Sequence, residues 1–161
     1  MGDSNFEEYI DLYGPLVARI VASYEASTIL RQDLMQEIWL KVWRGMAKYR
    51  GEGSQKAFIA QIARNHCISH VAQMARRPKH TVVDENDPSP HANPEMETDA
   101  ALRRKRLEQM VQNLPLEQRE VVVLILEGFT HREVATSLSL SENAVTQRFK
   151  RAKATLMDAM R

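Results

Sequence analysis

Asn143, Thr146, Gln147, Lys150 and Arg151 recur at three- and four-residue intervals near the end of this 161-residue chain, with Arg148 beside them. A carboxamide can make two hydrogen bonds to the edge of adenine, and Lys or Arg can do the same at guanine, so the set could read base edges in a major groove. A charged face that only solvates its helix uses the same residue types. What separates the two readings is the preceding sequence: Thr130-His131-Arg132-Glu133 is a capping box, a short helix follows to Leu138, and Ser139-Leu140-Ser141 makes a tight turn before the long helix. That is helix-turn-helix architecture, and it favours the DNA reading. Val145, Phe149, Ala152 and Leu156 form the apolar stripe that packs inward, and small Ala135 permits close approach of the preceding helix. Asn143, Gln147 and Lys150 then point outward at the centre, with Thr146 and Arg151 at the edges. Arg148 lies nearer the buried side and is expected to touch phosphate or pair within the domain.

Two more sets lie in the first half. In "RQDLMQEIWLKVWRGM" the residues Leu34, Met35, Ile38, Trp39, Val42, Trp43 and Met46 form a broad apolar face, expected to be core. Opposite it, Asp33, Gln36, Glu37, Leu40 and Arg44 fall within about 100° of arc on a helical projection. A leucine ringed by charge suits docking on a partner, although single exposed leucines are also ordinary. Next, Lys48, Tyr49, Arg50 and Lys56 surround a glycine-punctuated turn, and Gln61, Arg64, Asn65 and Ile68 share one face of the helix after it. Rings interleaved with cations suit single-stranded nucleic acid, because bases stack on aromatics while the backbone follows positive charge. Tyr49 and Phe58 could equally be core, and for Phe58 core is the expectation.

His66, Cys67 and His70 bear on metal chemistry, but a structural zinc wants four ligands and Cys67 is the single cysteine. No metal or other cofactor is expected. Nor is there a Gly-rich phosphate loop, an activated serine or a supported pair of carboxylates, so catalysis by this chain is not expected.

Helical periodicity dominates, and no run of alternating β-branched residues stands out, so the fold class is all-α. Ser4 and Glu7 match a capping box opening a first helix, which Gly14-Pro15 should kink or interrupt. A second helix spans about Ile29 to Met46, and a third, capped by Ser54, reaches about Arg76 before Pro78. Asn93-Pro94 reads as the start of a helix towards Asn113, and Pro115 starts another that Gly128 ends. Between these halves, "KHTVVDENDPSPHANPEME" is rich in proline and acid and reads as a flexible linker. About 16 such residues span roughly 22 Å as a coil and at most about 53 Å extended. The expected organisation is two small helical domains, 1–78 and 94–161, joined by an acidic linker at 79–93.

The formal charge of +1 conceals an alternation: residues 1–37 carry −5, 38–78 carry +7, 79–100 carry −5 and 101–161 carry +4. Acidic and basic surfaces in turn point to more than one kind of partner. The acidic start lacks the pattern of a signal peptide, no apolar run is long enough to span a bilayer, and one cysteine fits a reducing compartment, so a cytoplasmic protein is expected.

These segments resemble the extracytoplasmic-function sigma factors of bacterial RNA polymerase over nearly the whole chain. "DLMQEIWLKVWRGMAKYRGEGSQKAFIAQIARN" is similar to region 2 of that family, and "LPLEQREVVVLILEGFTHREVATSLSLSENAVTQRFKRAKATL" to region 4. The resemblance implies a non-catalytic specificity subunit that joins core RNA polymerase, contacting the clamp helices of the largest subunit and the flap of the second-largest. It also implies promoter DNA as partner, restraint by an anti-sigma factor, and a linker near the RNA exit path. Asp33, Gln36, Glu37 and Leu40 match the clamp-helix surface. The turn from Lys48 to Lys56, with Arg64 and Asn65, matches the parts that capture flipped bases of the minus-ten element. Thr146, Gln147, Lys150 and Arg151 match the positions that read the minus-35 element. Phe58 stands where the family often has tryptophan, and Asn143-Ala144 where it often has Gly-Thr. The extra segments of housekeeping sigma factors are not recognised, which points to the short two-domain class. The alternative is a helix-turn-helix repressor or activator that binds duplex operators without polymerase, usually as a dimer. An enzyme acting on nucleic acid would need a metal or base constellation not found here.

Overall fold

The computed structural model describes residues 2–49, 51, 54–77 and 98–160. They divide between two compact units, Met1–Glu97 and Thr98–Arg161, and every regular element among them is a helix. The acidic segment 79–93 and Arg50 lie outside the described residues.

The first unit is a bundle of α1 (Gly2–Tyr24), α2 (Thr28–Met46) and α3 (Gln55–Ala75), each packed on the other two. Its core comes from Val17, Ile20 and Val21 of α1, Leu34, Ile38 and Val42 of α2, and Ile59, Ala63 and Cys67 of α3, all nearly or fully buried. Ser27 and Ser54 cap α2 and α3 by accepting from the backbone N–H three residues on, at 3.3 and 3.0 Å. α1 departs from expectation twice. It begins at Gly2, so Ser4 lies inside the helix, and it runs unbroken through Gly14 and Pro15. Pro15 is exposed, so the carbonyl it leaves without an amide partner can be solvated, while burial of Leu16, Val17, Ile20 and Val21 immediately after it holds the helix together.

The second unit contains α4 (Asp99–Gln112), α5 (Leu116–Leu126), α6 (His131–Leu138) and α7 (Glu142–Ala159). α4 begins at Asp99: Thr98 has extended backbone angles, φ −74° and ψ 160°, and its hydroxyl caps the helix by accepting from Ala101 N–H at 3.1 Å, while Asn93 and Pro94 lie outside the described residues. α5 buries four consecutive residues, Val121 to Leu124, as a helix covered on most sides must. Gly128, at φ 95°, ends it, with Gly128 N–H bonding Ile125 O and Phe129 N–H bonding Leu124 O. The same pair of bonds ends α6, where Ser139 takes the left-handed conformation at φ 55°. Both halves of the Thr130–Glu133 capping box are formed. Ser141 caps α7 through Ala144 N–H at 3.0 Å. The helix-turn-helix is therefore α6, residues 139–141 and α7.

Candidate functional site

On α7, Val145 and Ala152 are fully buried, Phe149 and Leu156 are half-buried, and Asn143, Thr146, Gln147, Lys150 and Arg151 are all exposed. Arg148 is half-buried, at the edge between the two faces. Thr146 is held from α6: its Oγ1 hydrogen bonds His131 Nδ1 at 3.1 Å, and the His131 ring meets Phe149 edge-on with centroids 5.6 Å apart. His131 thus joins the first turn of α6 to both the outer and inner sides of α7. Sequence reading used it only as part of the capping box, because nothing local marks a bond across 15 residues.

On α2, Asp33, Gln36, Glu37, Leu40 and Arg44 are all exposed, Leu40 by 49%. The opposite face corrects an expectation. Leu34, Ile38, Trp39 and Val42 are buried, but Trp43 is 51% exposed. On a helical projection Trp43 lies about 180° from Leu34, at the limit of the apolar arc, and about 20° from Gln36. A helix with two neighbours does not cover so broad an arc, so Trp43 joins Leu40 on the open side. Met35 and Met46 are half-buried. Trp39 is fixed edge-on by Phe6, centroids 6.0 Å apart.

The turn between α2 and α3 is built by a close approach of the two helices. A methyl group on Gly45 would sit 2.9 Å from Phe58 Cζ and 3.5 Å from Ile62 Cδ1, so glycine leaves the room that the Phe58 ring occupies. Phe58 is half-buried and packs on the Tyr49 ring with centroids 4.9 Å apart. Its ring therefore serves both as packing and as support for the partly exposed Tyr49. Lys48 is exposed and Lys56 half-buried, and Gly51 turns the chain at φ 81°. On α3, Gln61 and Asn65 are exposed while Arg64 and Ile68 are half-buried. Arg64 Nη1 donates to Asn65 Oδ1 at 2.8 Å, fixing both side chains on one patch. Gln55, at the start of α3, donates from Nε2 to the Tyr9 hydroxyl at 2.5 Å and accepts from the Tyr13 hydroxyl at 3.4 Å. The start of α3 is thereby tied to α1.

The histidines go to separate carboxylates. His66 Nε2 lies 2.5 Å from Glu37 Oε2, and His70 Nε2 lies 2.7 Å from Glu25 Oε1. Glu25 also accepts from Ser27 N–H at 2.9 Å, so His70 braces the α1–α2 connection. Cys67, fully buried between them, has its thiol pushed up to about 12, chiefly by burial and to a lesser degree by the Glu25 charge. It stays protonated at neutral pH and is a packing residue. No helix among the described residues is long and apolar enough to cross a membrane.

The geometry thus consists of an exposed polar face with an apolar centre on α2, a ring-and-cation patch on the α2–α3 turn and α3, and an exposed polar face on the second helix of a helix-turn-helix. The two units match two family descriptions in order: Sigma-70 region 2 over residues 9–77 and Sigma-70, region 4 over residues 104–156, together well over half of the chain. The RNA polymerase sigma-H factor of Pseudomonas aeruginosa is 27% identical over 139 residues, 80% of this chain and 72% of its own length. The ECF RNA polymerase sigma-E factor of Escherichia coli is 27% identical over 151 residues, 88% of this chain and 78% of its own. Among solved structures, the sigma factor RpoE of Bartonella quintana, in complex with the anti-sigma factor NepR, superposes with a TM-score of 0.74 at 20% identity, covering 97% of this chain and 96% of that one. With both family regions present in order, and with relatives of that class matched along most of their length, the chain belongs to the extracytoplasmic-function sigma factors.

Proposed function

We propose that this chain is a promoter-specificity subunit of bacterial RNA polymerase, acting in the cytoplasm and making no bond-breaking contribution of its own. In this reading the first unit docks on the clamp helices of the largest subunit through Asp33, Gln36, Glu37, Leu40 and Arg44. Lys48, Tyr49, Arg50 and Lys56 on the turn, with Gln61, Arg64, Asn65 and Ile68 on α3, receive bases of the minus-ten element as the duplex melts. Asn143, Thr146, Gln147, Lys150 and Arg151 address the minus-35 element as duplex, and Arg148 lies where a phosphate passes. The second unit would also meet the flap of the second-largest subunit.

The observation that carries the reading is the α2 face, with Leu40 half exposed amid Asp33, Gln36, Glu37 and Arg44. A helix-turn-helix alone would serve a repressor equally well. A second exposed face, with its own apolar centre, in the other unit is what a subunit of a larger machine needs. Trp43 at the edge of that face adds a large apolar contact of the kind that anchors protein interfaces. Restraint by an anti-sigma factor is supported by the solved complex of RpoE with NepR.

Run-off transcription with purified core polymerase tests the reading. Adding the chain is expected to produce a defined transcript from a template with minus-ten and minus-35 elements, while the chain alone binds duplex weakly and with steep salt dependence. Tight binding of a dimer to a two-fold operator, with no transcript, would favour the repressor alternative.

A further inference from the structure

Glu37 and Lys41 are one turn apart on α2. A glutamate four residues before a lysine on an exposed helix ordinarily pairs with it along the helix. Here a third side chain stands between them. His66 of α3 contacts Glu37 Oε2 through Nε2 at 2.5 Å and Lys41 Nζ through Nδ1 at 2.7 Å. A lysine ammonium has only protons to give, so Nδ1 accepts and the ring proton sits on Nε2, donated to Glu37. His66 is itself well anchored, with 14% of its side chain exposed, whereas Glu37 keeps 60% of its side chain in solvent. One carboxylate oxygen is therefore fixed by a partly buried ring while the side chain remains open to a partner.

We infer that His66 is a positioning residue for polymerase docking: it orients the Glu37 carboxylate outward and prevents it from being neutralised along the helix by Lys41. The inference rests on the assignment of the α2 face to polymerase. It makes a residue of α3, which contributes nothing to the α2 face by its own position in sequence, part of the docking apparatus. Without the ring, Glu37 and Lys41 relax towards each other, and docking loses both an oriented acceptor and part of its charge. Glutamine at position 66 can restore the bond that matters here, since its Nε2 donates to the Glu37 carboxylate from about the position of the imidazole Nε2.

The test is equilibrium binding of labelled full-length chain to core RNA polymerase, followed by fluorescence anisotropy, with thermal unfolding of each variant alongside. His66→Ala is expected to weaken binding about five- to tenfold, within the net range of a single intramolecular hydrogen bond. His66→Gln should return to within about twofold of wild type on the same scale. In a Glu37→Ala background, His66→Ala should have no further effect, because there is no carboxylate left to orient. A folded His66→Ala chain that binds like wild type, or that loses the same factor with and without Glu37, overturns the inference. Failure of the wild-type chain to bind core polymerase would overturn the docking assignment and this inference with it.

Discussion

The α7 face and the turn between α2 and α3 both offer cations and hydrogen-bonding side chains, yet they are built differently. Asn143, Gln147, Lys150 and Arg151 extend from one helix into solvent, and of that face Thr146 is held, by His131. In the first unit the groups are tied across helices: Tyr49 on Phe58, Phe58 against Gly45, Gln55 to Tyr9 and Tyr13, Glu37 and Lys41 to His66. A duplex presents a groove of regular shape, so side chains on a single helix can settle against it. A melted strand has no shape of its own, and the protein must supply a rigid surface to receive each base. On the proposed assignment, the difference in construction follows the difference in target.

The largest effect that would break this contrast is at Gly45. Gly45→Val places a branched side chain where a Cβ alone would lie 2.9 Å from Phe58 Cζ. The substitution is expected to cost the first unit about 3 kcal/mol of stability, measured by denaturant unfolding, because the Phe58 ring must leave its place between Gly45 and Tyr49. A change below about 0.5 kcal/mol would mean that the close approach is not needed. A smaller effect is expected on the other side. Gln147→Ala should leave stability within about 0.5 kcal/mol, since the side chain is exposed, but reduce discrimination between a matched and a mutated minus-35 element by about 1 to 3 kcal/mol if it makes a paired contact with one base. Competition binding of holoenzyme to the two promoters measures it, and unchanged discrimination would remove Gln147 from the reading face.

The contrast also explains what is legible in the sequence. Caps and stops are written locally, so Ser54, the Thr130–Glu133 box, Ser141 and Gly128 mark helix ends where they are found. The α7 face was legible for the same reason: one helix with one buried stripe determines its outside. Trp43 was misread because periodicity gives the direction of a side chain but not how much of the arc its neighbours cover. Pro15 was misread because a local rule yielded to the burial of the four apolar residues at 16, 17, 20 and 21. The cap of α4 is Thr98, a local signal that the sequence reading passed over. The partners of His66 and His131 lie 29 and 15 residues away, and no local pattern announces such bonds. Many of the first unit's surface groups are placed by bonds of that kind, which is why its surface is the less readable.

The most direct test of a division between a melted-strand surface and a duplex surface is permanganate reactivity of thymines placed through the minus-ten region of a closed duplex promoter. With core polymerase and this chain together, those thymines are predicted to become reactive, and Tyr49→Ala to reduce that reactivity while minus-35 protection persists. Full minus-35 protection with thymines that stay unreactive in the wild-type complex would contradict the account.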